Sequence, residues 1–220
     1  MIDGAVVYAI DEGICTVTLN RPEALNAMRF SMIQALIDAI DRADRDDAVR
    51  VIVLAAEGRV FCAGTDLGGT GGYGAGREGY KPMQGGRRDS GGELAMRIFD
   101  AAKPVIAAIN GPAVGIGSTM LLPTDIRIAS TKASFGFPFV RRGIVPESCS
   151  SWFLPRMVGV SRALAWTVTG RKIDAQEALA ADAKEGVAAF KDKRPPDFAS
   201  CMPRDTPGFM PWWPAQHFDE

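Results

Sequence analysis

Two glycine-bearing turns follow apolar runs in this chain: Phe61-Cys62-Ala63-Gly64-Thr65-Asp66-Leu67 and Asn110-Gly111-Pro112-Ala113-Val114-Gly115-Ile116-Gly117. A turn at the end of a buried strand leaves main-chain N–H groups without a ladder partner. The second turn also opens a helix, whose first amides favour negative charge. Each alone reads as ordinary strand–helix punctuation. Two such donors aimed at one point would instead make a hole for a developing oxyanion. Few acids could move protons beside it, because between residues 104 and 173 the carboxylates are Asp125 and Glu147. The one histidine, His217, stands in a Pro- and Trp-rich tail. Chemistry that needs a positioned imidazole, such as Ser–His–Asp hydrolysis or a histidine metal site, is therefore not expected.

Periodicity gives the elements that must hold these turns. Val6–Ile10 and Ile14–Leu19 are β-rich runs around Asp11-Glu12-Gly13, which predicts an opening hairpin. From Ser31, the residues Met32, Ile33, Leu36, Ile37 and Ile40 share one helical face; Ser31 and Gln34 have capping-box spacing, and the helix should end near Asp44. The run from Val51 to Ala55 and the run from Val105 to Ile109 are continuous and apolar, as buried strands are. Between them, residues 68–92 are rich in glycine and read as a surface loop, with no G-K-[ST] to suggest a phosphate-cradling P-loop. Helix is expected from Glu93 to Ala101, from Gly117 to Leu122, from Pro155 to Val158 and from Ser161 to Thr169. A further strand is expected over Ile126–Ala129, and Asp174 with Glu177 repeats the capping-box spacing. Such alternation argues for an α/β domain with layered sheets.

Composition narrows the partners. Across 220 residues, 25 basic and 26 acidic side chains nearly cancel, so no single-sign field draws the chain to nucleic acid or an anionic membrane. The apolar fraction, 47%, suffices for a core. Cys15, Cys62, Cys149 and Cys201 form no C-x-x-C pair and suggest neither zinc nor a disulfide framework; a reducing cytoplasm is the expected location. No apolar run reaches bilayer-spanning length.

Three stretches together carry a resemblance. V-T-L-N-R-P-E-A-L-N-A at 17–27, F-C-A-G-T-D-L at 61–67 and K-P-V-I-A-A-I-N-G-P-A-V-G-I-G at 103–117 resemble the signatures of the enoyl-coenzyme A hydratase/isomerase, or crotonase, family. The likeness runs from about Val6 to Ala181. It implies a crotonase-like spiral of repeated β-β-α units with layered sheets, followed by a C-terminal helical and extended region. It also implies an acyl-CoA or enoyl-CoA thioester as substrate, no cofactor beyond the coenzyme A that the substrate carries, no metal, and a homotrimer or dimer of trimers. By the same resemblance Thr65 and Ile116 donate the oxyanion-hole N–H groups, and Ala24, Asn26, Ala63, Asp66 and Leu67 line the coenzyme A channel.

The acids distinguish branches of that family. Its hydratases carry two glutamates, at positions that are Thr119 and Phe139 here, whereas shifting a double bond needs one acid. Glu147, in Pro146-Glu147-Ser148-Cys149-Ser150-Ser151, resembles the catalytic glutamate of the peroxisomal-type Δ3,Δ2-enoyl-CoA isomerase branch. The expected activity is therefore isomerase-like, in fatty acid metabolism. Hydration or another thioester reaction, and a catalytically silent acyl-CoA-binding subunit, stay open as alternatives, as does a Glu147 that merely charges a helix start. Asp125 reads as a structural turn residue, Cys62 and Cys149 as packing residues, Arg141 and Arg142 as a solvated pair, and Lys103 as the entrance to a strand.

After Ala181 the resemblance breaks. Residues 1–181 form the expected core domain and 182–220 a C-terminal helix with a Pro/Trp-rich tail. The family's usual continuation is missing near 181–182, through a deletion or through two stretches joined across an absent one. The second case would show as a Cα–Cα gap well beyond about 3.8 Å.

Overall fold

A computed structural model describes residues 4–67, the backbone of the pairs 82–83 and 86–87, and residues 89–181. The expected hairpin is present: β1 (Val6–Asp11) runs antiparallel to β2 (Ile14–Leu19), with Val6 opposite Leu19 and Asp11 opposite Ile14. Helix α1 (Phe30–Arg45) then crosses over to β3 (Val51–Ala56), which lies parallel to β2. A parallel neighbour requires such a crossover. The short strands β4 (Pro82–Met83) and β5 (Gly86–Arg87) pair with each other, and α2 (Ser90–Phe99) returns the chain to β6 (Val105–Ile109) beside β3. Next come β7 (Ala113–Val114), α3 (Ile116–Thr119) and β8 (Ile126–Ala129). The main sheet has the order β1-β2-β3-β6-β8.

A second, smaller sheet completes the layers. Strand β9 (Ser134–Gly136) lies parallel to β7, and after α4 (Ser150–Val158) and α5 (Val160–Thr169) the strand β10 (Lys172–Asp174) closes on it antiparallel. A last helix begins at residue 175 and is described to 181. The architecture is the α/β fold with layered sheets that the alternation implied. No helix among the described residues is long and apolar enough to cross a membrane.

Two cores hold the layers. In the first, Met32, Ile33, Leu36 and Ile40 of α1 pack with Cys15, Val17, Leu19, Ile52 and Leu54 of the main sheet. Each large apolar side chain of this kind contributes about 1.5–3 kcal/mol by leaving water. In the second, Phe137 stacks on Trp166 with ring centroids 6.3 Å apart, among Phe139, Phe153, Leu154 and Ile173. Arg97 of α2 bonds Asp41 and Asp44 of α1, tying the crossover helices together. Lys103 does more than mark a strand entrance: its Nζ donates to the carbonyls of Ala43, at 2.7 Å, and Asp46, at the end of α1.

Several element starts differ from expectation. Ser31 and Gln34 form no capping box; α1 begins at Phe30 behind an extended Arg29 whose side chain makes no cap, and Gln34 donates to Asp38 instead. The reason is upstream, since Met28 is held in a β-bridge to Thr65, which fixes where the helix can begin. Helix α2 starts at Ser90 rather than Glu93, and α4 at Ser150 rather than Pro155, which sits inside it. Helix α3 is a single short turn, Ile116–Thr119, not a helix reaching Leu122. Half of the later capping box forms, with Glu177 N–H donating to Asp174 Oδ1 at 2.8 Å. The joint at 181–182 and the Pro/Trp tail lie outside the described residues.

Candidate active site

The two glycine turns run side by side. Phe61 and Cys62 N–H both donate to the Pro112 carbonyl, Val114 N–H donates to the Cys62 carbonyl at 2.9 Å, and Cys62 and Ala113 form a parallel bridge. Counting three residues onward on each strand brings Thr65 level with Ile116. On its other side the first turn pairs with residues 25–28: Ala63 N–H donates to the Leu25 carbonyl, Met28 N–H to that of Gly64, and Asp66 N–H to that of Met28. These bonds use the Ala63 and Asp66 N–H groups and the Gly64 carbonyl. Its own N–H meets no acceptor among the described residues. Ile116, as the first residue of α3, has no intrahelical acceptor either, while Ser118 and Thr119 N–H close on the Gly115 carbonyl. Both N–H groups thus lie without a backbone acceptor at the ends of two adjoining turns.

Close approach makes this possible. A Cβ on Gly117 would lie 2.5 Å from the Cys62 carbonyl oxygen, so only glycine lets α3 start against this strand. Gly64, at φ 104°, adopts a conformation that L side chains avoid, and its missing side chain faces the Val114 carbonyl. Ile116 is buried, with its side chain in the first core.

Glu147 approaches α3 from another element. It is half-buried in the turn before α4, where Ser148 and Cys149 both adopt left-handed backbone at φ 52° and 56°. Thr119, fully buried as the last residue of α3, donates its hydroxyl to Glu147 Oε1 at 3.3 Å. The carboxylate is therefore bonded one helical turn beyond the Ile116 amide. Its charge is also felt at Cys62, whose thiol is pushed up to about 12, chiefly by burial, with a backbone hydrogen bond from Gly64 opposing and Glu147 adding to the rise. Such a thiol is inert packing, as its sequence setting suggested. Phe139 is buried in the second core. Asp125 accepts from Val105 N–H at 2.7 Å, which is the structural role expected of it.

The residues expected along a coenzyme A channel divide by what they present. Ala24 ends a short 3-10 turn, Pro22–Ala24, and is partly exposed. Asn26 is wholly buried, and its side chain holds the turn together: Oδ1 accepts from Arg21 N–H, and Nδ2 donates to the Glu57 and Val60 carbonyls at 2.8 Å each. Ala63 and Leu67 are exposed. Asp66 accepts from both Arg21 and Arg29 at 3.1 Å, the first guanidinium buried and the second open to solvent. Sequence reasoning missed Arg21, Arg29 and Asp89, and named Thr119 only as the position of an absent acid, not as a partner of Glu147. Only Asp89 carried a usable signal, an N-cap residue type placed just ahead of a helical pattern.

With this geometry in hand, comparison with known proteins agrees. The family model described as enoyl-CoA hydratase/isomerase matches residues 9–181. The chain is 44% identical over 169 residues to enoyl-CoA hydratase ACTT3 of Alternaria alternata, covering 76% of this chain and 55% of the relative. It is 35% identical over 182 residues to enoyl-CoA delta isomerase 2 of Rattus norvegicus, covering 80% and 44%. The crystal structure of an enoyl-CoA hydratase/isomerase from Pseudoalteromonas atlantica T6c superposes with a TM-score of 0.73 at 33% identity, covering 91% of this chain and 78% of that one. This chain thus spans about half the length of the curated relatives it matches. Fold, paired turns and family match converge, and the chain belongs to the enoyl-CoA hydratase/isomerase, or crotonase, family.

Proposed function

We propose that this protein binds an enoyl-CoA thioester and shifts its double bond from the 3,4 to the 2,3 position. The thioester oxygen takes the N–H groups of Thr65 and Ile116. Glu147 removes a proton from C2, the charge passes to the oxygen as a dienolate, and the same acid returns the proton to C4. Atoms balance with one carboxyl group. Ala24, Ala63, Asp66 and Leu67 flank the coenzyme A portion, with Asn26 holding their turn, and no further cofactor or metal takes part.

The observation that carries this reading is the Thr119–Glu147 bond at 3.3 Å, because it ties the acid to the helix whose first amide is idle. Losing one donor of an oxyanion hole costs about a hundredfold to a thousandfold in turnover. Thr65→Pro, which deletes an N–H, should therefore cost that much. Thr65→Ser should cost little.

Hydration of a 2-enoyl thioester is the second reading, favoured by the hydratase name of the Alternaria alternata relative. Thr119 and Phe139 weigh against it, since adding water uses two acid–base groups and, among the described residues, the carboxylate bonded to α3 is Glu147. Assaying 3-enoyl and 2-enoyl thioesters side by side, with Glu147→Gln as control, decides. Isomerisation lost in Glu147→Gln supports the proposal; isomerisation that survives it removes the mechanism. Tight binding of both thioesters without turnover would make the chain a silent acyl-CoA-binding subunit.

A further inference from the structure

Glu147 sits on backbone that does not hold itself. The two residues that follow it are both left-handed without being glycine, a conformation that persists only when neighbours enforce it. The enforcing group is Asp89. Its Oδ1 accepts from Gly91 N–H and its Oδ2 from Gly92 N–H, at 3.0 Å each, which makes it the N-cap of α2. The same Oδ2 also accepts from Ser148 N–H at 2.6 Å, across 59 positions of sequence. One carboxylate thus closes both a helix start and the turn that carries the acid.

Packing reinforces the bond. A Cβ on Gly91 would stand 2.1 Å from Ser148 Oγ and 3.3 Å from Ile116 Cδ1, so this glycine lies where α2, the Glu147 turn and α3 meet. Ser148 is fully buried, and its hydroxyl finds no partner among the described residues. Its contribution to the turn is therefore its backbone N–H. A buried N–H that lost Asp89 would have to find another acceptor, and the turn would move to supply one.

We infer that Asp89 is a positioning residue: its carboxylate, seated against Ser148 N–H with Gly91 beneath, sets the placement of Glu147 against the oxyanion donors. The inference rests on the proposed role of Glu147 as the base. It adds the start of α2 to the determinants of turnover, although no atom of Asp89 need touch the substrate.

Asp89→Ser is the discriminating variant. Serine caps helices about as well as aspartate but is too short to reach Ser148 as well. In the full chain, the expected result is a Tm lower by only about 2–4 °C, a KM for the 3-enoyl thioester within about twofold, and kcat lower by at least about tenfold. Hydrogen exchange at the Ser148 amide should also accelerate. Gly91→Ala should lower kcat through the same turn, and Ser148→Gly added to it should restore part of the loss, because glycine suits φ 52° and removes the clashing hydroxyl. Should Asp89→Ser fold poorly, that pair of variants decides alone. Wild-type kcat and unchanged Ser148 exchange in Asp89→Ser, or a harmless Gly91→Ala, would overturn the inference. Isomerisation that persists in Glu147→Gln would instead sink the proposed base, while Ser148 exchange would still report whether Asp89 holds the turn.

Discussion

Adding one methyl group at Gly117 tests the close approach on which the paired amides depend. An alanine Cβ there would stand 2.5 Å from the Cys62 carbonyl oxygen and 2.7 Å from Cys62 Cβ, whereas ordinary contact begins at 3.4 Å. The start of α3 must therefore retreat by about 0.9 Å, and Ile116 N–H retreats with it. Misplacement of about 1 Å at a reacting centre costs roughly a hundredfold in rate, and overpacking of this kind costs about 1–3 kcal/mol in stability. Gly117→Ala should accordingly fold with a modestly lower midpoint in denaturant but lose kcat by about two orders of magnitude in the thioester isomerisation assay. Cys62→Ala added to it should not rescue turnover, because the closer obstacle is main chain. Gly136→Ala is the control, since its methyl would meet Val114 at an ordinary 3.7 Å. Wild-type turnover in Gly117→Ala would refute the reasoning, and so would an equal loss in Gly136→Ala.

Two further outcomes follow from side chains outside the reacting centre. Asn26→Ala strands the Glu57 and Val60 carbonyls and the Arg21 amide, and at about 1 kcal/mol or more per orphaned buried group it should lower the unfolding free energy by roughly 2–4 kcal/mol in urea; a loss below about 1 kcal/mol would show that water replaces those bonds. Glu177 is held below the usual carboxylate range of 4.5, first by hydrogen bonding from Arg171, with desolvation opposing and Trp166 assisting. A depressed folded value means that this pair adds stability above the ordinary carboxylate range and loses it as pH falls through the folded value. The pair is open to solvent, which screens it, so the effect is small. The stability gap between wild type and Glu177→Gln should thus be present at pH 7 and close in acid, and a gap that widens in acid would contradict the assignment.

What could be read from the chain alone depended on how local the determining interaction is. Strands β2, β3 and β6 were legible because each is an apolar run whose burial needs no special partner. The two glycine turns were legible because glycine marks a backbone demand wherever it occurs. Helix starts were not, because they are set from elsewhere: α1 by the bridge between Met28 and Thr65, and α2 by a cap that is shared with Ser148. Gly91 and Gly92 looked like part of a loop, since helix propensity penalises glycine; here tertiary contact overrides propensity, because Ser148 and Asp89 fill the space that side chains would need. Thr119 was legible only as the place of a missing acid, because a threonine carries no sign that a carboxylate 28 positions away will lie against its hydroxyl.

The same distinction separates which positions are free to vary from which are not. On the proposed mechanism Thr65 and Ile116 offer the substrate a main-chain N–H, and any residue but proline supplies that group, so their identities should leave little trace in the chemistry. Gly64 and Gly117 would offer the substrate nothing, yet their missing side chains let the two turns approach to within contact of the Val114 and Cys62 carbonyls. Selection on turnover should therefore bear harder on the glycines than on the donors. Saturation mutagenesis at these four positions, scored by isomerisation, measures this directly: tolerance at 64 and 117 with intolerance at 65 and 116 would mean that side chains, and not the backbone, do the work.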